Sequence, residues 1–403
     1  MHRVFLLFMA LCLPFPVVVL HGESSGTGTP PGVSGSAGSE YALREYAGQL
    51  ARSLDDRTLA AQTILTGIDG KGVLEEPVKA LLKQVPAGGI LLFKYNLSVE
   101  KSRVAPFLAA AAEAAAVRGT LAAVTIPPFI AADHEGGNVH RFGEGVGRFS
   151  APAVYWEMAV GRGWDIALEY VESTARRSGR EIRSLGLTMN LAPVAEPLTQ
   201  ENRAFLGNRS YGPNPVFVER AAAAFVRGME AAGISCVVKH FPGNTGADPH
   251  KDAVTLYADG EELDRMIAPM TALIRSGIPA LMVSHVLVPS RDSARIASLS
   301  PLIIGTWLRE ELGFTGIILA DDFSMGAVAA FAPSPEDAAV DALNAGVDMV
   351  MAWPGNLTEV HAAILQALGE GRLPRERLEE AAERILYEKM RRGLIKTEHG
   401  GNG

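Results

Sequence analysis

The sequence predicts an α/β fold in which a parallel sheet closes into a (β/α)8 TIM-type barrel as a single domain, and three observations carry that prediction. Eight short, almost wholly apolar runs recur at residues 63–66, 89–93, 129–133, 188–192, 235–239, 280–285, 316–321 and 347–351. Strands without polar alternation are buried on both faces, as parallel strands covered by helices are. Ala-rich segments of helical period separate most of them, at 99–118, 216–232, 261–276, 300–312 and 337–345, and two more, at 357–368 and 374–392, close the chain. Polar residues gather just after the strands: Lys94, Asp133, His134, Glu135, Glu196, Lys239, His240, His285, Asp321 and Asp322. Barrel enzymes carry their chemistry on that C-terminal face. A doubly wound open sheet is the alternative, but no Gly-rich phosphate fingerprint follows the first strand.

Taken in order, the chain opens with His2 and Arg3 before an apolar run over 4–20, broken by Pro14 and Pro16 and followed by Gly22. This layout predicts an export signal over 1–22 rather than a membrane span, and hence a periplasmic or cell-envelope location. Met9-Ala-Leu-Cys12 is a loose lipoprotein box, so a lipid anchor at Cys12 is the alternative to simple cleavage. If the signal is removed beyond it, Cys236 stands alone and no intramolecular disulfide forms. Residues 23–39 are Gly, Ser, Thr and Pro almost throughout and read as a flexible linker. The folded domain is expected over 40–397, beginning with a helix at 41–54 that aligns Leu43, Tyr46, Ala47 and Leu50 on one face.

Hydrophobic residues make up 48% of the 403, enough for a large core. A net charge of −8 without a concentrated basic face excludes nucleic acid as the main partner. His134-Glu135 begins like a zinc motif, but Asn138 stands where the second histidine belongs. No metal or other cofactor is expected, and a monomer is.

The stretch from Cys236 to His250 holds the densest chemistry. An apolar run delivers Lys239 and His240, and Pro242, Gly243 and Gly246 then force a loop that carries Asp248 and His250. A carboxylate beside an imidazole holds its tautomer and raises its pKa, as a general acid/base requires. Asp321-Asp322 ends the seventh strand. Alternation should send the two side chains opposite ways, with Asp321 the candidate for reaction chemistry and Asp322 as well suited to capping a helix. Asp133 and Arg141 flank the Gly136-Gly137 turn and suit the hydroxyls of a polar ligand, or a plain salt bridge. Gly207-Asn-Arg209-Ser-Tyr-Gly212 supplies another loop with one arginine, and His285 suits a structural role. A carboxylate nucleophile facing an acid/base across one substrate is the arrangement of retaining glycoside hydrolysis.

Lys239-His-Phe-Pro-Gly243 with Asp248-Pro-His250, Asp133-His-Glu-Gly-Gly137 with Val139 and Arg141, the 207–212 loop and Ala320-Asp-Asp-Phe-Ser-Met325 together resemble the motif set of glycoside hydrolase family three, in its single-domain bacterial β-N-acetylhexosaminidase subgroup. The resemblance runs from about residue 59 to 355 in the family's motif order. It implies a carbohydrate substrate derived from the cell wall, Asp321 as nucleophile, and His250 with Asp248 as acid/base dyad. It also implies that Asp133, Arg141, Arg209, Lys239 and His240 bind the terminal sugar. The single-domain subgroup is expected because the family's β-glucosidases take their acid/base from a second, C-terminal domain. Asn244, Pro249, His134, Asn138 and Glu196 depart from residues usual in the family, and the loop to His250 is two residues shorter. Transfer of the sugar to phosphate, and sugar binding without turnover, are the competing expectations.

Overall fold

In the computed structural model, residues 37–119, 121, 124–143, 145–247 and 253–395 are described. The expected export signal, Cys12 and nearly all of the expected linker lie outside them. The helix Ala37–Ser53 begins before Glu40.

Eight parallel strands form one sheet: β1 Ile64–Gly67, β2 Gly89–Leu92, β3 Phe129–Ala132, β4 Met189–Asn190, β5 Ser235–Phe241, β6 Ala280–Val283, β7 Ile317–Ala320 and β8 Val350–Ala352. Neighbours pair in chain order, β8 lies against β1, and a Leu319–Met349 bridge joins β7 to the approach of β8. The sheet is an almost closed barrel, as the alternating pattern predicts.

Strand alternation divides the apolar residues into two cores. Leu65, Leu91, Phe129, Ala131, Met189, Val237, Met282 and Leu319 pack inside the barrel. Ile64, Ile90, Ile130, Val238, Leu281 and Ile318 point outward and join the helices in the larger outer core. Full burial of every barrel strand explains why none carries the polar alternation of an exposed sheet.

The differences from the expected elements have local causes. β4 is shorter than 188–192, its regular ladder ending at Asn190, although an isolated parallel bridge between Val194 and Lys239 resumes the pairing with β5 beyond Pro193. The helix expected over 99–118 ends at Ala114, and Val117–Arg118 instead pair with Thr125–Ile126. A small sheet of Val254–Thr255, Val286–Val288 and Asp292–Ile296 sits beyond β5 and β6. Two of its three strands are only two and three residues long and carry no readable period. Between β3 and β4 stand helices Pro152–Arg162 and Trp164–Ser184, parted by Gly163 at φ 97°, a conformation that suits glycine. The segment Leu302–Glu311 is a wide π-type helix.

The last helix, Arg375–Arg391, closes the N-terminal end of the barrel with Ile385 in the inner core. Asp348, fully buried before β8, accepts from Arg309, Arg377 and Arg384 at 2.5, 2.6 and 3.0 Å. Burial alone would raise its pKa, but the three guanidinium groups outweigh that and hold it low.

Lys389 on the same helix is fully buried. Its Nζ donates to Gln62 Oε1 at 2.8 Å and lies 5.3 Å from the centre of the Phe129 ring. Burial pushes its pKa from 10.5 down to about 7. The unfolded chain therefore holds a proton that the folded chain gives up between these values, so this residue's cost is complete below pH 7 and fades as pH rises to 10.5. Lys389→Met removes the cost. Relative to the native chain, the variant's melting temperature should gain roughly 5 °C as pH is lowered from 10 to 6. A difference independent of pH would contradict this.

Candidate active site

The C-terminal ends of the strands surround a cavity of about 580 Å³, within the range of small-ligand sites. Asp133, Arg141, Arg209, Lys239, His240 and Asp321 all line it, together with Glu135 and Asp322. Asp248 and His250 lie outside the described residues. The described chain leaves the site at Ala247 and resumes at Ala253.

Lys239 is the centre of the polar wall. It is 3% exposed, and its Nζ contacts Asp133 Oδ1 and Glu135 Oε1, each at 2.7 Å. Arg209 grips Glu135 with two parallel bonds of 2.8 Å, and Arg141 reaches Asp133 Oδ2 at 3.1 Å. Burial opposes charge on Asp133, Glu135, Lys239 and Arg209, yet the opposite charges win. Glu135 and Asp133 are held below the usual carboxylate range, while Lys239 and Arg209 are held above their ordinary values.

Local backbone geometry makes this network possible. Past β3 the side chains alternate, so Glu135 enters the cavity while His134 points behind it. There the His134 Nε2 lies 3.0 Å from Gly147 O and 2.9 Å from Ser178 Oγ. Burial lowers its pKa to about 3, so it is a neutral packing group. Gly136 and Gly137 then turn the chain at φ 95° and 57°, and a Cβ on Gly136 would meet Ser150 O at 2.4 Å. That turn brings Arg141 back onto Asp133. Along β5, strict alternation would place Lys239 and His240 on opposite faces. The register against β6 shifts between Val238 and Phe241, the Lys239–His240 peptide is cis, and both side chains border the cavity.

His240 Nδ1 lies 2.6 Å from Glu196 Oε1, which leaves Nε2 on the cavity side. The same carboxylate accepts from the Asn244 backbone N–H at 2.6 Å and from its side-chain amide at 3.0 Å. Glu196 therefore connects the cavity wall to the first turn of the loop after β5. Glu196 and Asn244, two of the departures from the family's usual residues, are bonded to each other.

Asp321 follows β7. Its N–H donates to Val283 O at 3.1 Å, and its Oδ1 accepts from the Asp322 N–H at 2.9 Å. Oδ2 has no hydrogen bond to a described residue. Asp322 also borders the cavity, because the strand ends at Ala320 and alternation ends with it. Its carboxylate is taken up by the Ser324 N–H and hydroxyl and by Trp353 Nε1, at 2.8, 2.7 and 2.8 Å. Asp322 is thus a turn and packing residue, while among the described residues Asp321 Oδ2 has no partner. His285 is held between Ser298 Oγ at 2.7 Å and Asp322 O at 3.0 Å.

Sequence reasoning did not assign Glu135, Trp353, Phe93 or Phe205 to the site. Glu135 and Trp353 stand directly after β3 and β8, so strand-end position was the available signal. Phe93 and Trp353 meet with ring centres 5.4 Å apart and give the cavity an aromatic side opposite its charges. Among the described residues no group of three or more His, Cys, Asp or Glu side chains is placed to hold a metal ion. No helix among them is long and apolar enough to cross a membrane.

Comparison with known proteins agrees with this architecture. Residues 54–387 match the glycosyl hydrolase family 3 N terminal domain. A β-hexosaminidase of Methylococcus capsulatus is 36% identical over 288 residues, covering 70% of this chain and 79% of that protein. One from Stenotrophomonas maltophilia is 34% identical over 328 residues, covering 77% of this chain and 92% of its own length. The solved family 3 β-N-acetylglucosaminidase from a Paenibacillus species superposes with a TM-score of 0.77 at 31% identity, over 87% of this chain and 64% of that one. The chain is therefore a glycoside hydrolase, and it belongs to glycosyl hydrolase family 3.

Proposed function

We propose that the protein is a retaining exo-β-N-acetylhexosaminidase that removes terminal β-linked N-acetylglucosamine. The observation that carries the reading is the convergence of Asp321 and the Asp133–Lys239–Glu135–Arg209 network on one cavity. The names of the relatives described above support the choice of sugar.

In this reading Asp321 attacks the anomeric carbon and forms a glycosyl–enzyme ester. His250, protonated and partnered by Asp248, gives its proton to the leaving oxygen, then removes one from the incoming water. The charged wall grips the sugar hydroxyls with ionic hydrogen bonds that are already oriented and need no rearrangement as charge develops. Water is favoured over phosphate as acceptor, because Arg141, Arg209 and Lys239 are each already engaged by Asp133 or Glu135. Delivery by a signal over 1–22 and tethering by the stretch from residue 23 to the helix at Ala37, or through Cys12, would place a monomeric enzyme in the envelope, beside cell-wall glycan fragments as the substrate source.

Turnover of a chromogenic β-N-acetylglucosaminide, with the matching β-glucoside far slower, is the direct assay. Asp321→Asn should lower kcat by roughly 10,000-fold with the fold intact; near-native activity in that variant rules the assignment out. A second prediction concerns Glu196 and Asn244. Glu196→Asp and Asn244→His should each cost roughly tenfold in kcat/KM, and the double variant should lose clearly less than the product. Strict additivity would show that the two residues do not cooperate.

A further inference from the structure

The cleavage chemistry engages the charged side of the cavity, and the aromatic side is built just as firmly. Tyr95 extends it towards solvent. Its ring lies 4° from parallel to that of Phe93 with centres 5.9 Å apart, an offset stack, and both rings line the cavity with Trp353.

Three anchors fix these rings. The Tyr95 hydroxyl donates to Ile68 O at 2.9 Å. Asn96, fully buried at the next position, donates to Ile68 O and Gly70 O at 3.0 and 2.8 Å and accepts from the Phe93 N–H at 2.9 Å. The turn after β2 is thereby tied to the chain after β1. Trp353 donates to Asp322 at 2.8 Å, and Gly67 makes room for it, since a Cβ there would meet the indole at 2.6 Å.

Exposure orders the lining from floor to mouth. Lys239 and Glu135 are 3% and 2% exposed, Phe93 and Trp353 are half-buried, and Tyr95 is 50% exposed. A single exposed ring is ordinary on a protein surface. One that is pinned through its hydroxyl, stacked on a second ring and set at the lip of a cavity is a preorganised apolar face, and little freedom is lost when a ligand covers it. A pyranose with equatorial substituents has the matching shape. Its hydroxyls radiate around the edge, while axial C–H groups make its two faces apolar, so a charged wall suits the edge and an aromatic ring suits a face.

We propose that Tyr95, backed by Phe93, is the platform for the sugar ring on the leaving-group side of the scissile bond. The inference rests on the hexosaminidase reading and deepens it. With the terminal sugar held by the buried charged wall and its anomeric carbon at Asp321, the rest of the glycan has to pass out through the mouth, where Tyr95 stands. The preferred substrate class is therefore an oligosaccharide whose second residue is an equatorially substituted pyranose, and Tyr95 is a specificity-determining residue for it.

The test compares, on the whole protein, N,N′-diacetylchitobiose, whose leaving group is a pyranose, with β-N-acetylglucosaminyl fluoride, whose leaving group has no ring. Tyr95→Ala should lower the ratio of kcat/KM for the disaccharide to that for the fluoride by roughly tenfold. Tyr95→Phe, which keeps the ring and loses the hydroxyl, should keep most of the native ratio. A native ratio in Tyr95→Ala overturns the platform, as does an equal fall in Tyr95→Phe. Hydrolysis of neither substrate by the native chain overturns the hexosaminidase reading and the platform with it, an outcome distinguished by appearing before any substitution is made.

Discussion

The contact on which the mouth of the barrel depends is the buried ammonium of Lys239 between two carboxylates. Asp133 and Glu135 follow β3, Lys239 lies two residues before the end of β5, and Arg209 comes from the loop after β4, so one network ties three successive strand ends. Lys239 and Glu135 are too buried to be solvated by bulk water, and they are tolerated only because their partners are in place. Removing one member of such a buried pair costs about 3–5 kcal/mol, because the remaining charge is left uncompensated. The arrangement is therefore close to all-or-none. It is also preorganised: the groups that would bind sugar hydroxyls are oriented by one another before any substrate arrives.

The opposite end of the barrel uses buried charge differently. Asp348 gathers three arginines from the helices and the chain between β6 and β7, which pins the strands at their N-terminal ends. Among the described residues Lys389 has no such partner, only Gln62 and an aromatic face. That contrast separates a residue that organises the closure from one that is merely accommodated within it.

The fold was legible because its signal is collective. Parallel strands buried on both faces must be apolar throughout, and the eight runs recovered the eight barrel strands to within a few residues. The short Val254–Thr255, Val286–Val288 and Asp292–Ile296 sheet was not legible, since its pairing depends on tertiary contacts. In the site, the motifs brought Asp133, Arg141, Arg209, Lys239, His240 and Asp321 to one cavity. What the motifs did not convey was who bonds whom. Glu135 stood among the polar strand-end residues without a role of its own, although alternation alone separates it from His134. Trp353 lies outside every motif, and its role follows only from its indole N–H meeting Asp322. Glu196 and Asn244 stood in the sequence as unrelated departures. Their 2.6 and 3.0 Å contacts make them one substitution in physical terms, a longer carboxylate reaching an amide at the root of the loop.

The account rests finally on a covalent bond at one oxygen, the Asp321 Oδ2 that no described residue occupies. The most direct measurement is peptide mapping by mass spectrometry after inactivation with a 5-fluoro-N-acetylglucosaminyl fluoride, which slows release of a glycosyl–enzyme more than its formation. The account predicts one sugar mass per chain, located on Asp321. Label on Asp322 or elsewhere, or steady turnover with no adduct because the acetamido group of the sugar itself attacks, would contradict it.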